Sequence, residues 1–192
     1  MKSRKQVSRI IAFVGMAVVL VAGCAGPVDP AAEDAFLGSL GNTSITVFPA
    51  FVRDGQEASY DANGAERIGE FLIDDNLAEV TVSQEQVPVT GPWHSNQARM
   101  LRESAEDFAT YLRENPVENE YAVLPEYLFL GGGGVGGIHC YIIDGENRLA
   151  FVVLLNSHWP IFAEMDPKTV DDCTDVLIEV LREDLKPKNP DD

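Results

Sequence analysis

Hydrophobic positions along the chain change spacing several times, and each change marks an element. Residues 10–21 form an apolar run without a charge. Ser44-Ile45-Thr46-Val47-Phe48-Pro49 is rich in β-branched and aromatic residues and predicts a first strand. The polar, turn-prone stretch 55–64 separates it from a helix over 62–75, where Ala65, Ile68, Phe71 and Leu72 make one apolar stripe. Residues 79–83 read as a short strand with Val80 and Val82 on one face. A loop with Pro88, Gly91 and Pro92 leads to a long helix over 95–114, whose Leu101, Ala105, Phe108 and Leu112 share a face. Asn115-Pro116 stops it.

The period then shortens to that of strands. Residues 121–130, 138–144 and 149–156 are apolar and β-branched, and Asp144-Gly145-Glu146-Asn147 is a turn between the last two. A closing helix over 169–185 is capped by Thr169 with Asp172 three residues on, and Val170, Cys173, Leu177, Val180 and Leu181 face inward. The order β-α-β-α-β-β-β-α predicts an α/β domain bordering on α+β. In it, crossovers set three parallel strands and a hairpin adds antiparallel ones, with helices covering the mixed sheet. One domain over 43–186 follows a tether over 24–42, marked by Pro27, Pro30, Gly38 and Gly41, with a short helical turn around 31–40. Residues 187–192 are expected to be a disordered tail.

Charge separates the beginning of the chain from the rest. Lys2, Arg4, Lys5 and Arg9 precede the 10–21 run, which is shorter than the roughly 20 residues a bilayer span requires. A basic start, an apolar stretch of this length and small residues after it follow the pattern of an export signal. Val21-Ala22-Gly23-Cys24 resembles the lipobox of bacterial lipoproteins. The resemblance implies thioether acylation of Cys24, cleavage before it to remove residues 1–23, and a protein held to membrane lipid through Cys24. Ala25, in the place where an aspartate would retain such a protein in the inner membrane, implies the outer membrane, facing the periplasm. The leader holds four of the 14 basic residues and none of the 31 acidic ones, leaving ten against 31 and a formal charge of −21. So acidic a surface repels nucleic acid and anionic lipid.

Candidate chemistry is sparse. The run Gly131–Gly137, interrupted by Val135, contains the letters of a dinucleotide fingerprint. Such a loop must open a helix, whereas Ile138 onward is strand, so a mobile hairpin loop is expected and no cofactor is implied. His94, His139 and His158 show no metal-ligand spacing. His139 beside Cys140, or Ser157 beside His158, cannot be a base with its nucleophile, because neighbours in a strand point to opposite faces. Cys140 and Cys173 are read either as a disulfide or as two buried thiols. Trp93 and Trp159 stand next to prolines in loops, as lids on the core or as partner contacts.

The helix after the first strand, Gly64-Ala65-Glu66-Arg67-Ile68-Gly69-Glu70-Phe71-Leu72, the second βα unit and the closing meander resemble the small periplasmic α/β domains of TolB (its N-terminal part), LpoB and CsgG. That resemblance implies an anticodon-binding-like fold and a non-catalytic role in binding or assembly with an envelope protein. The alternatives are an envelope hydrolase drawing on His94, His139 or His158, and a purely structural lipoprotein.

Overall fold

The computed structural model describes residues 28–55, 57–90 and 96–186. The leader, Cys24, Trp93, His94 and the tail lie outside them. Among the described residues no helix is long and apolar enough to cross a membrane.

The fold is a mixed seven-stranded sheet between helices. Its centre is β5 (Tyr121–Leu130), which pairs with β6 (Gly134–Asp144) on one side and with both β1 (Ser44–Val47) and β2 (Ala50–Asp54) on the other. β1 and β2 run parallel to β5 as one long strand interrupted at Phe48-Pro49. Val47 pairs with Val123 and Phe51 with Glu126, so one extra residue is absorbed at the break. Pro49 has no N–H to give to the ladder, which is why the interruption falls there. β4 (Glu79–Val82) lies parallel outside β1, β3 (Glu57–Asp61) antiparallel outside β2, and β7 (Leu149–Asn156) antiparallel outside β6.

Alternation along β5 sorts the core into two layers. Tyr121, Val123, Tyr127 and Phe129 face α1 (Pro30–Ser39), α2 (Ala62–Asp74) and α5 (Val170–Asp184). Ala122 and Leu124 face α3 (Gln97–Glu114), whose Leu101, Phe108 and Leu112 pack there with Phe48 and Val87. Asp61, Asn96 and Thr169 cap α2, α3 and α5, and Thr169 with Asp172 forms the capping box expected from the sequence.

Four differences from the sequence reading have physical causes. The 55–64 stretch is not simply a turn: β2 and β3 form a hairpin around Gly55, which adopts φ +59°. Residues 30–39 belong to the body rather than to a tether. Asp29 caps α1, and Phe36 is fully buried against Tyr121 and Phe151, with ring centroids 5.0 and 5.8 Å away. The glycine run is half strand: only Gly131–Gly133 precede β6, and Gly132 and Gly133 hold the positive φ angles of the turn. A short helix, α4 (Pro160–Met165), follows the β7 end where only loop was expected.

Candidate functional site

Among the described residues, the one dense group of titratable side chains in the interior is built across three adjacent strands and α3. Glu126 of β5 is fully buried and lies opposite His139 of β6 and Phe51 of β2. A single charge inside a strand buried on both faces must be paired. Glu126 accepts from the Tyr141 hydroxyl at 2.5 Å and from Ser104 Oγ at 3.1 Å, and its Oε2 sits 3.1 Å from His139 Nδ1. Arg53 of β2 approaches Oε1 at 3.7 Å while its guanidinium stacks on Phe51. Burial alone would raise the Glu126 carboxyl. The hydrogen bond and charge of His139, the Tyr141 hydroxyl and the Arg53 charge outweigh it and hold the group below its usual range. Burial and the Glu126 charge push the Tyr141 phenol far up. His139 Nε2 is buried with no hydrogen-bond partner among the described residues.

This network holds α3 to the sheet through Ser104, and two hollows at the surface of the domain do not reach it. One of about 350 Å³ lies between the β2–β3 hairpin and the start of α5, lined by Val52, Asp54, Glu57, Phe129 and Val170 among others. Another of about 130 Å³ lies beside the Asp144–Asn147 turn. His158 is exposed in the turn after β7, its backbone N–H bonded to Asn156 Oδ1 at 2.9 Å, so it stands apart from buried His139. No group of three His, Cys, Asp or Glu side chains among the described residues is placed to hold a metal.

His139 and Cys140 take opposite faces, as strand alternation requires. His139 joins the α3 layer and Cys140 the layer of α1, α2 and α5. Cys173 on α5 is buried in the same layer as Cys140, yet both are free thiols. Of the two readings of this pair, the unbonded one is the arrangement in this structure. Both behave as small apolar side chains: burial pushes each thiol up to about 12, with the Asp172 charge adding to the effect at Cys173.

Of the four large apolar side chains exposed among the described residues, Ile73, 52% exposed, stands alone on α2, and the other three belong to segments that meet at one end of the sheet. β5 ends, β6 begins and β7 ends there, so the Gly131–Gly133 turn and α4 share that end. Leu130, Trp159 and Met165 are 49%, 37% and 38% exposed. Leu130 lies over Gly136, where a Cβ would come within 2.9 Å of its Cδ2. Trp159 is thus more open than a core lid and stands three residues beyond β7. The chain enters the domain at the opposite end, where the Asp29 N–H bonds the Leu149 carbonyl at 3.2 Å. Sequence reasoning singled out Trp159 and His139. It missed Glu126, whose signal was a lone carboxylate inside an otherwise apolar strand.

No family model matches the chain, and no curated protein matches it. Two solved structures are similar to it. One is the LpoB C-terminal domain from Salmonella enterica, with 11% identity and a TM-score of 0.39, covering 68% of this chain and 94% of that one. The other is a PelC dodecamer from Paraburkholderia phytofirmans, with 12% identity and a TM-score of 0.36, covering 74% of this chain and 87% of that one.

Proposed function

We propose that this chain is a cell-envelope lipoprotein, acylated at Cys24, whose domain binds another envelope protein without carrying out catalysis. The observation that carries the reading is the exposed apolar end formed by Leu130, Trp159 and Met165. Large exposed aromatic and sulfur side chains are enriched at protein interfaces. The interior titratable network supports the same reading, because Glu126 and His139 are sealed from solvent and already engaged with each other.

Asp29 and the patch sit at opposite ends of β7. A lipid on Cys24, five residues before Asp29, would place the entry end toward the bilayer and present Trp159 to the periplasm. Ala25 favours the outer membrane as the site. Trp93, four residues before α3 in the sequence, is a second contact candidate.

Two measurements test this. Cys24→Ser should move the protein from the membrane fraction to the soluble periplasm, and retention on membranes would defeat the lipid anchor. A photoreactive residue at position 159 of the native lipoprotein should give one discrete adduct in cells, absent with the same residue at position 73. Equal labelling from both positions would defeat the partner surface.

A further inference from the structure

We propose that the outer edge of β7 is a strand-docking site, which receives an extended, largely apolar segment of the partner protein with basic residues on its flanks. This rests on the partner-binding reading and specifies how the partner is held.

Among the described residues, β7 hydrogen-bonds to a strand on one side only, to β6. Natural edge strands are guarded by shortness, charge, proline or a covering element, because a free row of N–H and C=O groups recruits other strands. The other edges obey that rule. β3 is five residues long with acids at both ends, and β4 is four residues long and starts at Glu79. β7 runs Leu149-Ala150-Phe151-Val152-Val153-Leu154-Leu155-Asn156, eight residues with no charge, proline or glycine. Among the described residues, the backbone bonds to it from outside the sheet fall at its two ends, Asp29 N–H to Leu149 at the first position and Trp159 N–H to Asn156 at the last. α1 covers one face through Ala32 and Phe36. On the other face Val152 and Leu154 remain half-buried, so side chains of an added strand would complete their cover. The edge leads directly to exposed Trp159, which places an aromatic anchor at the distal end of the track.

Geometry decides between a partner and a second copy. Symmetric pairing of two β7 edges is antiparallel, which turns the entry end of one copy toward the distal end of the other. With β7 upright on the membrane, the orientation proposed above, two copies anchored through Cys24 in one leaflet would not both reach the bilayer in that arrangement. A foreign strand has no such constraint, and basic flanks would complement a chain whose formal charge without the leader is −21, ten basic against 31 acidic residues.

The test uses the native lipoprotein in membranes with a photoreactive residue at position 154 or, separately, at 159. Both should crosslink to one polypeptide, with the position-154 adduct mapped to an extended segment. That segment, made as a synthetic peptide, should slow amide exchange along 150–156. The same peptide N-methylated at alternate residues should bind at least about tenfold more weakly, a difference of about 1.4 kcal/mol. The methylated peptide leaves the protein untouched, so a folding defect cannot imitate the result; the variant carrying Val152→Lys and Leu154→Lys should also lose the 154-region protection. Equal binding of both peptides overturns strand docking. An adduct from 159 with none from 154 overturns it while leaving the partner reading intact, and adducts from neither position overturn both. A 154-to-β7 adduct between two copies shows that the edge pairs with itself and overturns the assignment to a partner.

Discussion

Replacing Glu126 by leucine should be among the most damaging single changes in the domain. The side chains are similar in volume, so a cavity is not the cause. The loss comes from what is left behind: the Ser104 and Tyr141 hydroxyls and His139 Nδ1 lose their common acceptor, and Arg53, 8% exposed, loses a carboxylate. Removing one member of a buried charged pair costs about 3–5 kcal/mol, a large share of the roughly 5–15 kcal/mol that holds a domain together. Urea unfolding followed by far-ultraviolet circular dichroism reads this as a lower midpoint at unchanged slope. Removing the remaining polar members as well, with Arg53→Met, Ser104→Ala, His139→Leu and Tyr141→Phe added, should return at least half of the loss, because an apolar replacement of a whole network is often neutral. A cost below about 1 kcal/mol for Glu126→Leu alone would refute the reasoning, since it would mean that the network is solvated. Acid provides an independent check. The folded-state carboxyl is held below its ordinary value, so its stabilising contribution is complete above the unfolded value near ~4.3 and disappears as pH falls through the lower folded value. Between about pH 5 and pH 3 the native protein should therefore lose more stability than Glu126→Gln.

Three further outcomes follow from local geometry. Phe36→Ala empties the contact with Tyr121 and Phe151 and should cost about 3–5 kcal/mol in the same urea assay, whereas a removable tether would tolerate it. Gly64→Ala puts a methyl 2.5 Å from the capping oxygen of Asp61 and 2.9 Å from Thr174 Oγ1, which is hydrogen-bonded to buried Tyr127, and should cost about 1–3 kcal/mol by thermal melt. Cys140 and Cys173 should resist a thiol reagent in the native protein and react together once it is unfolded in urea without reductant; reaction of neither on unfolding would indicate a disulfide.

The elements that could be read from the chain were those whose burial follows a single period. β5 and β7 match their expected bounds, because their apolar runs end at a glycine turn or a polar cluster. The three parallel strands and the Thr169 cap were equally plain. The β2–β3 hairpin was hidden because Pro49 looks like a terminus, and because exposed β3 spells Glu57-Ala58-Ser59-Tyr60-Asp61, which carries no apolar alternation. α1 buries only Ala32 and Phe36, too few to show a stripe among Ala31, Ala35 and Leu37. The Glu126 network escaped notice for a different reason. Its members come from positions 53, 104, 126, 139 and 141, and only strand pairing with α3 on top makes them neighbours.

The order in which the sheet is threaded also shapes how the chain can mature. β5 joins β1, β2 and β6, yet it comes some 75 residues after the first of them. Long sequence separation between paired strands slows folding, since the intervening loop must close before any contact rewards it. A nascent chain emerging from its N-terminus has no centre to assemble on until Tyr121 and the strands behind it arrive. Collapse is thereby deferred to the last third of synthesis, and the export proposed above, in which the chain would be threaded unfolded through a translocation pore, would gain that delay from topology alone.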